Sequence, residues 1–171
     1  MQREAAGFTL VELLVAVAIM AIIASIALPS FGNMLRRSRL TASANELVAA
    51  LQTARMEAVR RNARITVCPS TTGSACAGAN WARVAVLDER AAEALRDVSL
   101  AASLQATGNA AVLANASKIQ FDPSGFASVG AGLRAGTVTL CMPKLPAASN
   151  AMRVNVDVSR VTVTKSAASC P

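Results

Sequence analysis

The sequence predicts an α+β chain: a long N-terminal α-helix followed by a small head built on antiparallel β-strands. Three observations carry this. Residues 7–35 form an apolar run in which Glu12 is the one charged side chain before Arg36. Apolar residues then recur at three- and four-residue steps as far as Val59, the spacing of one helical face. From Ile65 onward the period shortens to two, and short alternating runs are separated by clusters of Pro, Ser, Thr, Asp and Gly.

A bilayer's hydrocarbon core takes about 20 apolar helical residues to cross. The N-terminal run meets that length, so it reads as a membrane helix with its transmembrane part at residues 8–31. The polar leader before it, residues 1–7, is too short to be a globular element. Pro29, with Gly32 close behind, removes a backbone donor and is expected to kink or loosen the helix. Beyond it, Leu40, Ala44, Leu47, Val48, Leu51, Ala54, Ala58 and Val59 make one apolar stripe, while Arg39, Glu46, Arg55, Glu57, Arg60 and Arg61 mostly lie off it. Asn62 is a suitable stop. The helix is therefore assigned to residues 8–62 and the β-rich head to residues 63–171.

Within the head, residues 64–68 and 81–87 alternate as strands, and the segment from Pro69 to Gly73 favours a turn. Residues 89–115 are Ala-rich and give no clean period; 91–96 suit a helical turn and 97–104 a strand. Residues 118–121 run into the turn Asp122-Pro123-Ser124-Gly125, and residues 136–141 form another strand. Residues 152–158 and 160–164 alternate valine with polar residues, the pattern of a hairpin with one buried face. Pro143 and Pro146 keep the preceding connection out of the sheet.

With 171 residues, the part after the stem has room for one small domain. One Trp, four Phe and no Tyr leave its core to small aliphatic side chains. The net charge is +7, unchanged by loss of the leader because Arg3 and Glu4 cancel, and favours phosphates, acidic polymers or an acidic neighbour. The absence of histidine removes the commonest general base and the commonest zinc ligand, and neither a phosphate-cradling Gly-rich loop nor a metal-ligand constellation appears. The chain therefore reads as a structural protein, with no enzyme activity, cofactor or metal expected. Four cysteines follow the span, and an even count in an exported domain reads as disulfides in an oxidising compartment. Of the three connectivities, Cys68 with Cys76 and Cys141 with Cys170 is the pairing adopted.

The segment Gly7-Phe8-Thr9-Leu10-Val11-Glu12 resembles the processing site of type IV prepilins and of the pseudopilins of type II secretion. The resemblance implies cleavage between Gly7 and Phe8 by a prepilin peptidase, N-methylation of Phe8, and retention of the apolar helix. Glu12 then occupies the family's fifth mature position, whose carboxylate pairs with the N-terminal amine of a neighbouring subunit, and Pro29 sits where pilins carry a helix-loosening proline. An ionisable group inside a span has a functional partner as a rule. The globular part resembles the GspH/FimT family of minor pilins and pseudopilins. Its motifs occur in order: Ile65-Thr66-Val67-Cys68-Pro69-Ser70 with Cys76 and Trp81 beyond, Phe121-Asp122-Pro123-Ser124-Gly125, the strand ending in Cys141, and the closing hairpin.

What the resemblance implies is a type IV pilin-like fold and a minor pilin of the pilus tip or priming complex, supporting pilus biogenesis and twitching. The partners implied are other minor and major pilins, the prepilin peptidase and the inner-membrane assembly platform. The chain is placed in the inner membrane with its head in the periplasm, then in a pilus or pseudopilus. Arg36, Arg37 and Arg39 directly after the span argue for the opposite orientation by the positive-inside rule; the cysteines and processing site are given precedence. A same-family alternative is a minor pseudopilin of type II secretion. A third reading makes DNA a partner, because some FimT-type pilins carry a DNA-binding Gly-Arg-x-Arg motif in the closing hairpin. Here the matching residues are Ser159-Arg160-Val161-Thr162, which keep the first arginine alone; Arg153, Arg160 and Lys165 are the candidate contacts.

Overall fold

The computed structural model describes residues 9–130 and 133–170, with the side chains of residues 26–30 outside that set. The chain divides into two compact units, Met1–Leu35 and Arg36–Pro171. Helix α1, Leu10–Arg61, contributes to both.

In the first unit the described side chains from Leu10 to Ser25 are all exposed. No helix among the described residues is long and apolar enough to cross a membrane. The expected span also takes in Phe8 and the side chains of residues 26–30, which lie outside the described residues, as do Gly7 and the side chain of Pro29.

The second unit begins with the C-terminal part of α1. Leu40, Ala44, Leu47, Leu51, Ala54 and Ala58 are buried as their spacing predicts, and Ser43 and Ala50 join them. Val59 departs from expectation. At 54% exposure it lies outside the buried stripe, because it stands one residue, about 100° of helical turn, round from fully buried Ala58. Asn62 takes φ +49°, which lets its N–H reach the Val59 carbonyl (3.3 Å) and that of Ala63 reach Ala58 (3.1 Å). This left-handed closure satisfies two carbonyls that the helix would otherwise leave open.

Two antiparallel sheets complete the unit. The first has the order β3-β2-β1-β5-β6, with β1 Ile65–Pro69, β2 Arg83–Asp88, β3 Glu93–Ser99, β5 Ile119–Phe121 and β6 Ala127–Ser128. The second has the order β4-β7-β8-β9, with β4 Gln105–Gly108, β7 Gly136–Cys141, β8 Ala151–Val156 and β9 Val161–Ser166. Ile65, Val67, Val84, Val86 and Ile119 from the first sheet and Val138, Leu140, Val154 and Val156 from the second meet the helix stripe in one contiguous core. Trp81 and Phe121 are its largest fully buried side chains.

All five residues of β1 are buried because both faces are covered: one by the helix, the other by the loop that Cys76 ties back to Cys68. Arg83 holds this loop from below, donating from Nη1 to the Thr71 carbonyl (2.7 Å) and from Nη2 to that of Thr72 (3.0 Å) while pairing with Asp97 (2.6 Å). Gly73 is required here. Its φ is +86°, and a Cβ would stand 2.5 Å from Asp97 Oδ2.

Residues 89–104 correct the sequence reading. The expected helical turn at 91–96 is absent, since the Asp88 carboxylate accepts from the N–H groups of Arg90 (3.1 Å) and Ala91 (3.2 Å) and turns the chain into β3. The strand expected at 97–104 ends at Ser99, and the chain turns through residues 100–104 to begin β4 in the other sheet. A short helix α2, Ala110–Ala114, follows, capped by Asn109 Oδ1. The closing hairpin forms at the expected place, but its buried face belongs to β8 alone; β9 is the sheet's edge, with Val163 38% exposed.

The second disulfide, Cys141 to Cys170 with Cα atoms 5.7 Å apart, ties the C-terminal tail to the end of β7. Buried Asn150 assists it, donating to the Ala168 carbonyl (2.8 Å) and accepting from the Ala168 N–H (3.1 Å). Loop-closure entropy makes this bridge, 29 residues apart, worth about 3.5 kcal/mol against about 2.5 kcal/mol for the bridge 8 residues apart. Replacing Cys141 and Cys170 by serine should therefore lower stability more than replacing Cys68 and Cys76, as read from denaturant midpoints of the oxidised proteins.

Candidate functional site

The groups of interest are the apolar helix with its carboxylate, the ties that make the head rigid, and the cations the head displays. Glu12 stands in the first turn of α1, where its N–H donates to Thr9 Oγ1 (3.3 Å) and that of Leu13 to the Thr9 carbonyl (3.2 Å). Thr9-Leu10-Val11-Glu12 thus has the spacing of a capping box, a signal readable in the sequence and not used there. The Glu12 side chain is exposed amid Leu10, Val11, Leu13, Leu14 and Val15, which are also exposed. A single chain leaves these apolar side chains uncovered, the kind of contiguous surface that marks a partner or membrane contact.

At the other end of α1, Glu57 accepts from Arg60 Nη2 (2.6 Å) and Arg61 Nε (2.8 Å), and Arg61 Nη1 reaches Glu93 (2.5 Å) and buried Asp88 (3.6 Å). This chain of charges fastens the helix end to the β2–β3 turn. The hydrogen bonds from Arg60 and Arg61 hold the Glu57 carboxyl at about 2, well below its ordinary value of 4.5. Arg83 likewise lowers Asp97, and Lys118, 2.9 Å away, lowers Glu89.

Arg55 contributes in a way its charge did not suggest. Its guanidinium lies 5.5 Å over the Phe121 ring and donates to the Ser159 carbonyl (2.7 Å), so the helix grips the loop between β8 and β9. Gly125, at φ +77°, gives it space: a Cβ there would lie 3.5 Å from Arg55 Cγ and 3.2 Å from Val59 Cγ2. The Asp122 carboxylate accepts from Ser124 and Phe126 N–H groups, which makes it a turn-former, as its sequence context implied.

The three cations read as DNA contacts are not brought together. Arg153 pairs with Thr164 and Thr139 across the sheet, on the face where Thr107, Thr137, Asn155 and Thr162 also stand. Lys165 pairs with Met152 and so shares the opposite face, the one turned to the core. Arg160 sits in the hairpin loop, exposed, with its carbonyl accepting from Asp157 N–H (2.8 Å). Instead Lys165 meets Arg37, Leu40, Thr41, Ser149, Ala151 and Met152 around one cleft. No cluster of His, Cys, Asp and Glu suited to a metal ion occurs among the described residues.

A profile of the type II transport protein GspH matches residues 43–162. The chain belongs to the GspH family. This is the family of minor type IV pilins and GspH-like pseudopilins, whose members are structural subunits. The prokaryotic N-terminal methylation motif matches residues 2–28 of the same chain. Two crystal forms of the type IV minor pilin FimU from Pseudomonas aeruginosa PAO1 share the fold. One has a TM-score of 0.55 at 22% identity and covers 75% of this chain and 90% of FimU; the other has 0.53 at 20%, covering 73% and 92%. The pilin-like α+β fold read from the sequence is therefore the fold of this GspH-family chain.

The depressed Glu57 carboxyl has a definite pH signature. A folded-state value below the unfolded one contributes stability that is complete above about 4.5 and is lost as the pH falls through about 2. The unfolding temperature should fall across that window, and Glu57→Gln should be less stable than wild type at pH 6 and nearly equal to it at pH 2, by thermal melts followed by circular dichroism.

Proposed function

We propose that this GspH-family chain is a minor type IV pilin, assembled into the pilus through its apolar helix and acting in the tip or priming complex to support pilus biogenesis and twitching. The observation that carries this is one chain combining the methylation motif, an apolar helix that a monomer leaves uncovered, and a pilin-like head whose core is completed by that helix's continuation. Under this reading the peptidase cuts between Gly7 and Phe8, Phe8 is N-methylated, and residues 8–31 anchor the chain in the inner membrane with residues 63–171 in the periplasm. Extraction by the assembly platform then exchanges lipid for the helices of other pilins. Glu12 pairs with a neighbour's N-terminal amine, since a lone carboxylate in hydrocarbon is costly and opposite charges fix axial register. Pro29 loosens the helix where it must adapt to its neighbours.

The match to the type II transport protein GspH keeps a minor pseudopilin of type II secretion as the alternative. Shearing filaments from wild type and a deletion strain, with twitching, secretion and transformation scored together, separates the two: recovery in pili and loss of twitching supports the first, and loss of secretion alone overturns it. Glu12→Ala should lower incorporation into filaments severalfold while leaving the head's melting temperature unchanged; full incorporation would remove the proposed charge pair. Arg160, exposed on a loop that Arg55 pins, supports a narrower second proposal of DNA contact. Gel shifts at low salt test it, and the absence of a wild-type shift, or a shift undiminished in Arg160→Ala, counts against it.

A further inference from the structure

The cleft around Arg37 and Lys165 belongs entirely to the second unit and joins residues 128 positions apart. Arg37 comes from the first helical turns of that unit, Ser149 from the 3-10 turn Ala147–Ser149, and Lys165 from β9. Arg37 Nη2 donates to Ser149 Oγ at 3.3 Å, which holds the guanidinium at the cleft. Its remaining lining is Leu40, Thr41, Ala151 and Met152, without a carboxylate. Two cations and two hydroxyls thus stand beside an apolar wall in a space of about 110 Å³. A water needs only about 10–15 Å³ of such space, so a tetrahedral oxyanion fits.

We propose that this cleft binds the phosphate of an anionic phospholipid. Three features favour that occupant. The charges are of one sign and uncompensated within the cleft. The wall of Leu40, Ala151 and Met152 suits the glycerol and ester region of an amphiphile better than a fully hydrated free ion. In the sequence, only Arg36 separates Arg37 from the last residue of the apolar run, Leu35, so a chain anchored by that run carries Arg37 at headgroup depth. The inference rests on the membrane-anchored stage of the proposed function. It adds a role for Lys165: a head residue that reads lipid charge while the subunit waits in the bilayer and gives the contact up on extraction.

The test uses the full-length protein in neutral detergent micelles doped with equal phosphatidylglycerol and phosphatidylcholine, bound lipid being counted by native mass spectrometry. Wild type should retain phosphatidylglycerol preferentially. Lys165→Ala and Arg37→Ala should each weaken that retention about fivefold, the effect of one cation at an anionic surface, while Lys165→Arg preserves it and Arg134→Ala, a charge-matched control elsewhere on the head, leaves it unchanged. Unaltered selectivity in Lys165→Ala overturns the proposal. Acylation of Lys165 provides the second readout: phosphatidylglycerol should slow it, and equal protection by millimolar inorganic phosphate, or protection by single-stranded DNA alone, would overturn the lipid assignment. Alkaline carbonate extraction of membranes separates the two levels. A chain released by carbonate defeats the membrane reading itself, whereas a chain retained with unchanged lipid selectivity in Lys165→Ala defeats only this inference.

Discussion

The burial of one helical face is the interaction on which the head depends. Among the described residues no strand of one sheet pairs with a strand of the other; they are linked by local contacts such as the N–H of Trp81 to the Ala106 carbonyl (2.9 Å) and that of Ala127 to the Val158 carbonyl (2.8 Å). What makes them one body is the stripe of α1 from Leu40 to Ala58, against which the inward side chains of both sheets pack. Full burial of a leucine contributes about 1.5–3 kcal/mol, and Leu40, Leu47 and Leu51 are all buried. The alanines between them serve differently: Ala44, Ala50, Ala54 and Ala58 are fully buried yet small, so two sheets can approach one helix without leaving voids. The head is therefore incomplete without the continuation of the same helix whose first part is uncovered.

That dependence explains why most of the fold was legible in the sequence. The stripe announces itself by period, and the strands with alternating Val, Ile and Thr announce theirs, so β1, β2, β7 and β8 fall where expected. The adopted disulfide pairing is the one in the structure. Residues 89–104 were not legible, for a definite reason. Glu93-Ala94-Leu95-Arg96 has good helix formers, and only pairing with β2, offset by the irregularity between Val86 and Leu87, makes it a strand. No local signal encodes a partner's register. The exposed valine of β9 has the same origin: alternation shows which residues share a face, not whether anything covers it.

The candidate sites divide along the same line. Thr9 and Glu12, three residues apart, could be read from the sequence alone. Arg55 with Ser159, Arg83 with Thr71 and Asp97, and Arg37 with Ser149 and Lys165 could not, because each joins separate elements. Arg160 and Lys165 looked like neighbours because they are near in sequence. Strand geometry places one in a loop and the other on a core-turned face at the sheet edge.

The net charge of +7 gains meaning only when its distribution is followed. Glu57, Asp88, Glu89, Glu93 and Asp97 are each engaged with an arginine or lysine, and all lie at the end of α1 or around the first sheet. The four strands of the second sheet contain no carboxylate, yet carry Arg153 and Lys165. Five carboxylates thus fasten the end of α1 and the first sheet, while no strand of the second sheet offers one to Arg153 or Lys165.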